Sequence, residues 1–123
     1  MANVLLSKNS KANDFFCSCC REGELDAAFM SQLLRFLGFT GLSSLTVTSG
    51  FRCPKHNRDE GGKDTSLHLV GRAIDSFAPT VQIKAIILDA AHHAGLNGIG
   101  LGSNFIHLDN REIPAKWTYP KKS

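Results

Sequence analysis

The chain has 123 residues, of which 42% are hydrophobic and 20% are charged, an ordinary composition for one soluble globular domain. The formal net charge of +3 is mild and no dense run of lysine and arginine occurs, so we expect neither a nucleic-acid nor a membrane partner. No apolar run approaches the roughly 20 residues that are needed to span a bilayer.

The first sixteen residues are predicted to form a surface arm. They are polar with a few apolar positions, and Phe15 and Phe16 would hold the arm against the domain. Residues 1–10 lack the basic and then apolar layout of a signal peptide. We therefore expect one domain over residues 1–123, a monomer that is synthesised in the cytoplasm.

Four cysteines occur, at Cys17, Cys19, Cys20 and Cys53. Three of them are too crowded to pair with a single partner, so reduced thiols are the first interpretation. The alternative is a small zinc or redox site that joins Cys53 to one or more of the others. The spacing does not match the paired C-x2-C template of standard zinc sites.

Two helices are predicted from apolar residues at helical spacing. Asp26 is a suitable N-cap for the first helix, and Gly38 is predicted to end it. The second helix begins at Pro79 and Thr80 and ends at Gly95. Both helices carry one apolar face, so both are expected to pack on the core.

Strands are predicted over residues 45–48, 72–77 and 105–109, and glycines in residues 98–102 predict a turn. Short strands mixed with helices favour an α+β fold, with a small antiparallel sheet that carries helices on one face. Side chains alternate along a strand, so His107 and Asp109 share a face. We expect both to face an open groove on the side away from the helices.

Three residues form a candidate metal-ligand set. His68 and Asp75 have the spacing H-x6-D, and His107 adds a second imidazole. Two imidazoles and one carboxylate suit a divalent ion such as zinc and leave a fourth position open, which is a catalytic arrangement. We expect one zinc ion per chain. Arg52, at a strand end, is expected to hold a substrate carboxylate or a developing oxyanion.

The motifs that carry a family resemblance are Ser49-Gly50-Phe51-Arg52, His56-Asn57 with Gly61-Gly62, Ser66-x-His68-x-x-Gly71-x-Ala73-x-Asp75, and Phe105-Ile106-His107-x-Asp109. Together they resemble the zinc D-Ala-D-Ala carboxypeptidase family of peptidases, M15, and are most similar to its murein-peptidase branch. The resemblance covers most of the chain, and the motifs keep their order.

This resemblance implies a hedgehog-like α+β fold and a catalytic zinc held by His68, Asp75 and His107. It also implies hydrolysis of amide bonds in peptidoglycan stem peptides, with Arg52 stabilising the transition state and Ser66 close to the bound substrate. Whether the enzyme removes a terminal D-alanine, as a carboxypeptidase, or cuts an internal cross-link, as an endopeptidase, stays open.

One position departs from the family pattern. Several branches carry a catalytic carboxylate three residues before the last histidine, where this chain has Asn104. An amide cannot accept a proton at neutral pH. Asp109 is the nearest replacement, either as the general base or as a residue that orients His107. We predict that it is the base, with Glu112 as the next candidate.

Two functions follow from these residues. The first is a zinc peptidase of the cell wall, with a bacteriophage endolysin released through a membrane lesion as its particular form. The second is a non-catalytic, zinc-dependent cell-wall-binding module that kept the metal and lost the base.

Overall fold

A computed structural model describes residues 3–120 of the chain, which form an α+β fold. Its strands are β1 (Val4–Ser7), β2 (Ser44–Ser49), β3 (Ala73–Phe77), β4 (Gly98–Leu101), β5 (Phe105–Asp109) and β6 (Ala115–Thr118). Its helices are α1 (Ala27–Thr40), α2 (Pro54–Asp59) and α3 (Val81–Ala94), with short 3-10 helices at Ala12–Phe15 and Leu67–Val70. Within residues 3–120, no helix is long and apolar enough to cross a membrane.

The strands form one sheet in the order β1-β2-β3-β5-β4-β6. Each neighbouring pair is antiparallel except β4 and β6, which are parallel. The predicted α+β class is therefore confirmed, but the prediction of a purely antiparallel sheet is wrong at this edge. The chain returns along β6 in the direction of β4, and this long-range pairing leaves no local pattern in the sequence.

The predicted surface arm is part of the sheet and of the core. Strand β1 pairs with β2 in the register Val4 to Val47, and this hydrogen bonding satisfies its backbone groups. The side chains of Leu6 and Phe15 are fully buried. The expectation of an arm over residues 1–16 is thus wrong for the described residues, because their apolar side chains complete the core.

The two long helices begin at the predicted capping residues. The side chain of Asp26 accepts a hydrogen bond from the backbone of Phe29, and Thr80 does the same at the start of α3. Helix α1, however, continues past Gly38 to Thr40 and ends at Gly41, whose φ is 71°. One glycine inside a helix costs only about 1 kcal/mol, so it does not have to end one.

The core lies between α1, α3 and one face of the sheet. Its sheet residues include Leu45, Val47, Ile74, Ile99, Ile106 and Leu108. In the β3–β5 register Ile74 lies opposite Leu108, whereas Asp75 lies opposite His107. Since side chains alternate, Asp75 and His107 project from the face away from this core. The sheet therefore presents the predicted ligands on one side and buries its apolar residues on the other.

Residues 98–101 form strand β4 rather than the predicted turn, and its glycines serve the polar face of the sheet. Gly98 pairs with Asp109, and Gly100 pairs with His107. A Cβ atom at Gly98 would overlap the Asp109 carboxylate, and one at Gly100 would lie 2.6 Å from the indole nitrogen of Trp117. The missing side chains thus make room for the polar and aromatic groups of the neighbouring strands.

Candidate metal centre

Three elements bring the predicted ligand set together. His68 lies on the 3-10 helix Leu67–Val70, Asp75 on β3 and His107 on β5, and their ligand atoms all lie within 4.8 Å of one another. The hydroxyl of Ser66 accepts a hydrogen bond from the backbone of His68 at 3.2 Å and so begins the 3-10 helix. Gly71, with a φ of 71°, ends it and lets the chain enter β3.

The tautomer of His68 is set by its backbone partner. Its Nδ1 lies 2.7 Å from the carbonyl oxygen of Gly50 and donates a proton to it, because a carbonyl can only accept. The other ring nitrogen, Nε2, is then an acceptor, and it lies 3.2 Å from Oδ1 of Asp75. Burial lowers the pKa of His68, which favours the neutral imidazole that a metal ion requires.

His107 uses its two ring nitrogens in the opposite way to His68. Its Nε2 lies 2.7 Å from Oδ2 of Asp109, to which it donates, and its Nδ1 lies 3.3 Å from Oδ1 of Asp75. Burial opposes a charge on His107, but the hydrogen bonds with Asp109 and Asp75 outweigh it and raise the pKa of the imidazole. Nδ1 is therefore the ring nitrogen that faces the other ligands.

These contacts direct three acceptor atoms at one point: Nε2 of His68, Nδ1 of His107 and Oδ1 of Asp75. When these atoms carry no proton they repel one another, and a shared metal cation relieves that repulsion. Burial opposes ionisation of Asp75, yet the two imidazoles outweigh it and keep the pKa of the carboxyl below its usual value. Two nitrogens and one carboxylate oxygen are a donor set that suits zinc, so the residues fit this metal.

Arg52 is tied to the same carboxylate. Its Nη2 donates to Oδ2 of Asp75 at 3.0 Å and its Nε donates to the hydroxyl of Ser49 at 2.9 Å. An irregular register between Val47 and Ser49 brings Ser49 opposite Asp75, and such bulges commonly aim a side chain into a site. Arg52 is only 9% exposed, so it is a fixed part of the centre, and neither contact uses Nη1.

The expectation that Asp109 faces an open groove is wrong, because its side chain is fully buried. Oδ1 accepts from the backbone nitrogen and Nε of Arg111, at 3.1 and 2.9 Å, and Oδ2 accepts from Nη2 of Arg111 and from His107. Burial opposes its ionisation, but Arg111 and His107 outweigh it and hold the pKa of Asp109 below its usual range. Both carboxylate oxygens are therefore occupied.

An aromatic wall, formed by Trp117 and Tyr119, borders the centre. The Trp117 ring lies 5.2 Å from the ring of His107, and the guanidinium of Arg111 lies 4.6 Å from the Trp117 centroid. Tyr119 follows at 6.3 Å from Trp117. The period-two spacing of the two aromatic residues was the one signal that they share a strand face.

The three other residues considered in the sequence, Ser66, Asn104 and Glu112, differ in their burial. Ser66 is half-buried next to His68. Asn104 and Glu112 are both exposed. The backbone carbonyl of Asn104 accepts a hydrogen bond from Ala78 at 2.8 Å, which helps to anchor the start of β5.

A mononuclear centre of two imidazoles and one carboxylate, with a coordination position left open, is typical of metal-dependent hydrolases. A model of the family Peptidase M15 matches residues 9–109, and the chain belongs to this family. Membership implies a metallopeptidase that acts on peptidoglycan-type substrates. A search of curated proteins returns no match. The matched region contains the ligand set and ends at Asp109, ahead of the aromatic wall.

Proposed function

We propose that this chain is a zinc peptidase that hydrolyses amide bonds of peptidoglycan stem peptides. The observation that carries the proposal is the convergence of the acceptor atoms of His68, His107 and Asp75, which lie within 4.8 Å of one another. Family membership supports the same class of reaction. A zinc ion bound by these three residues would polarise the scissile carbonyl group. It would also lower the pKa of a bound water molecule toward neutral pH.

The residues around the ligands hold them in the binding geometry. The carbonyl of Gly50 fixes the ring of His68, and Asp109 fixes the ring of His107. Hydrogen bonds of this kind orient metal ligands, and their loss typically costs 10- to 100-fold in metal affinity or activity. On this basis Asp109 acts as a positioning residue, which is the second of the two roles that its spacing left open.

Arg52 combines two tasks in this proposal. Its Nη2 neutralises Oδ2 of Asp75 and so directs Oδ1 toward the imidazoles. Its Nη1 is free of both contacts and would donate to the substrate oxygen that gains negative charge in the transition state. A guanidinium already fixed by two hydrogen bonds loses little entropy when it makes a third.

Ser66 and Trp117 would contact the substrate from two sides. The hydroxyl of Ser66 accepts from the backbone of His68 and keeps its own hydrogen for a peptide carbonyl. The ring of Trp117 covers His107 and offers an apolar surface beside it. A terminal D-alanine carries a methyl group next to its amide, which suits an apolar wall next to hydrogen-bond donors.

A non-catalytic wall-binding module is the second candidate, and one observation favours it. The position at which several branches of the family carry a catalytic carboxylate holds Asn104, which is exposed. Both oxygens of Asp109 are engaged by Arg111 and His107. Such a module would bind zinc and peptidoglycan without turnover. The endolysin role, the cytoplasmic synthesis and the monomeric state stay predictions of the sequence.

The test is mass spectrometry of purified muropeptides after incubation with the zinc-loaded full chain. Loss of a terminal D-alanine would identify a carboxypeptidase, and separation of a cross-linked dimer would identify an endopeptidase. The matched control is the double variant His68→Ala/His107→Ala, which lacks both imidazoles. If wild type and control give identical spectra while wild type alone sediments with peptidoglycan, the wall-binding module is correct and the peptidase is not.

A further inference from the structure

A second group of metal-binding side chains lies outside the candidate metal centre. We call it the cysteine cluster, and its members are Cys17, Cys19, Cys20 and Cys53. The four sulfur atoms all lie within 4.8 Å of one another. The sulfur of Cys19 lies 3.6 Å from that of Cys17 and 3.1 Å from that of Cys53. The fold therefore brings Cys53 to the other three cysteines, as the alternative interpretation of the sequence expected.

The distances suit a metal ion better than a disulfide. All four cysteines are free, and a disulfide would require a sulfur separation of about 2.05 Å. Four thiolates about 2.3 Å from a tetrahedral zinc ion lie roughly 3.8 Å from one another. The two observed separations, 3.1 and 3.6 Å, are somewhat shorter than that value, and all four sulfur atoms lie within 4.8 Å of one another.

Two backbone N–H groups are directed at sulfur atoms of the cluster. The backbone nitrogen of Cys53 lies 3.4 Å from the sulfur of Cys17, and the backbone nitrogen of His56 lies 3.4 Å from the sulfur of Cys53. The imidazole of His56 also borders the cluster, with its Nδ1 atom 3.2 Å from the sulfur of Cys17. Hydrogen bonds to sulfur disperse the negative charge of metal-bound thiolates, so this surrounding supports a thiolate site.

The local backbone is shaped to gather these side chains. A tight loop is closed by hydrogen bonds from Cys17 to Glu22 and from Arg21 to Cys17, at 2.8 and 2.7 Å. Arg21 has a φ of 58°, a left-handed conformation that is unfavourable for a long side chain and needs support from its surroundings. A hydrogen bond of 3.0 Å from Phe51 to Phe15 holds this loop against the segment that ends in Cys53.

We propose that the cysteine cluster binds one structural zinc ion, separate from the zinc of the candidate metal centre. Four thiolates complete a tetrahedral shell and leave no open position, so this ion has a structural role. It links the loop after the first 3-10 helix to the residue that directly follows Arg52. The expected zinc content is therefore two ions per chain rather than the one predicted from the sequence. The proposal does not depend on the peptidase activity.

Metal analysis of the full chain tests this proposal. The protein is prepared under reducing conditions with zinc and then desalted. We expect two zinc ions per chain in the wild type and one in the double variant His68→Ala/His107→Ala, which keeps only the cysteine cluster. We expect one zinc ion also in Cys19→Ser/Cys53→Ser. The control Ser43→Ala changes an exposed serine outside the cluster and should keep both ions.

Cobalt substitution gives a readout that requires neither activity nor a folded cysteine variant. In the double histidine variant, Co²⁺ should produce an intense sulfur-to-cobalt charge-transfer band, and excess zinc should remove it. Thiol reagents should label the four cysteines only after a chelator is added. The proposal is overturned if this variant binds no zinc and shows no such band, if it holds iron instead, or if intact mass shows a disulfide between Cys19 and Cys53.

Discussion

His107 donates from Nε2 to Oδ2 of Asp109 at 2.7 Å, and this contact leaves Nδ1 as the nitrogen that faces Asp75. The two residues lie two positions apart on β5, so the strand itself sets the geometry of the pair. Arg111 holds the opposite side of the carboxylate. The ring of His107 is thus fixed before any metal binds.

Asp109→Asn tests whether Asp109 orients His107 or accepts a proton. The structure favours orientation, because both oxygens of the carboxylate are occupied. We therefore expect zinc affinity and hydrolysis to fall together, by roughly 10- to 100-fold. Zinc titration and turnover, measured on the same preparation, provide the comparison.

The base role predicted from the sequence gives a different pattern for this variant. Zinc would stay bound while kcat fell by roughly 10² to 10⁴. Asp89→Asn is the matched control, since Asp89 is an exposed carboxylate on α3 and its change should affect neither quantity. Unchanged activity in Asp109→Asn would exclude both roles and direct attention to Glu112.

Removal of any one ligand should disable the centre. His68→Ala, Asp75→Ala and His107→Ala each leave two protein donors, so hydrolysis should be abolished and zinc affinity sharply reduced. His92→Ala is the control, because His92 is exposed near the end of α3. A ligand variant that retains wild-type zinc and activity would remove that residue from the set.

Arg52→Lys should separate charge from hydrogen-bonding geometry. A lysine keeps the positive charge near Asp75 but cannot reach Asp75, Ser49 and a substrate oxygen at the same time. We expect kcat/KM to fall by roughly 10² to 10³, the usual effect of losing one oxyanion donor. Arg35→Lys, on the exposed side of α1, should have no effect. Full activity of Arg52→Lys would contradict the donor role.

Two glycine substitutions should have opposite effects on stability. Gly98→Ala places a methyl group against the Asp109 carboxylate and should destabilise the fold by about 1–3 kcal/mol, with a loss of zinc affinity. Gly38→Ala meets no neighbouring atom within 4 Å inside α1 and should stabilise the fold by roughly 0.5–1 kcal/mol. Urea unfolding of both variants measures the difference. Equal effects would show that β4 adapts to a side chain at Gly98.

Local signals identified the features of the fold that depend on neighbouring residues. Asp26 and Thr80 cap helices because a short polar side chain before an apolar run satisfies free amide groups. The residue types at His68, Asp75 and His107 predicted one ligand set, and the structure brings these three residues together.

Features that depend on distant pairing could not be predicted in this way. Strand β1 forms because β2 lies beside it, and β4 is a strand although its glycines have a low strand propensity. The burial of Asp109 depends on Arg111, whose side chain folds back over the carboxylate. For the cysteines the sequence left two interpretations open, because only the fold shows that Cys53 lies against the loop at Cys17.

Trp117 is the single tryptophan of the chain, and its ring lies 5.2 Å from that of His107. The tryptophan fluorescence of the protein therefore comes from this one residue. A protonated or metal-bound imidazole at that distance alters the electrostatic field around the indole. The protein thus carries an intrinsic optical probe of its histidine centre. Tryptophan fluorescence during a zinc titration would report metal binding at His107, and cobalt absorption would report metal binding by the cysteine cluster. Metal binding at the two sites could therefore be followed separately in one sample.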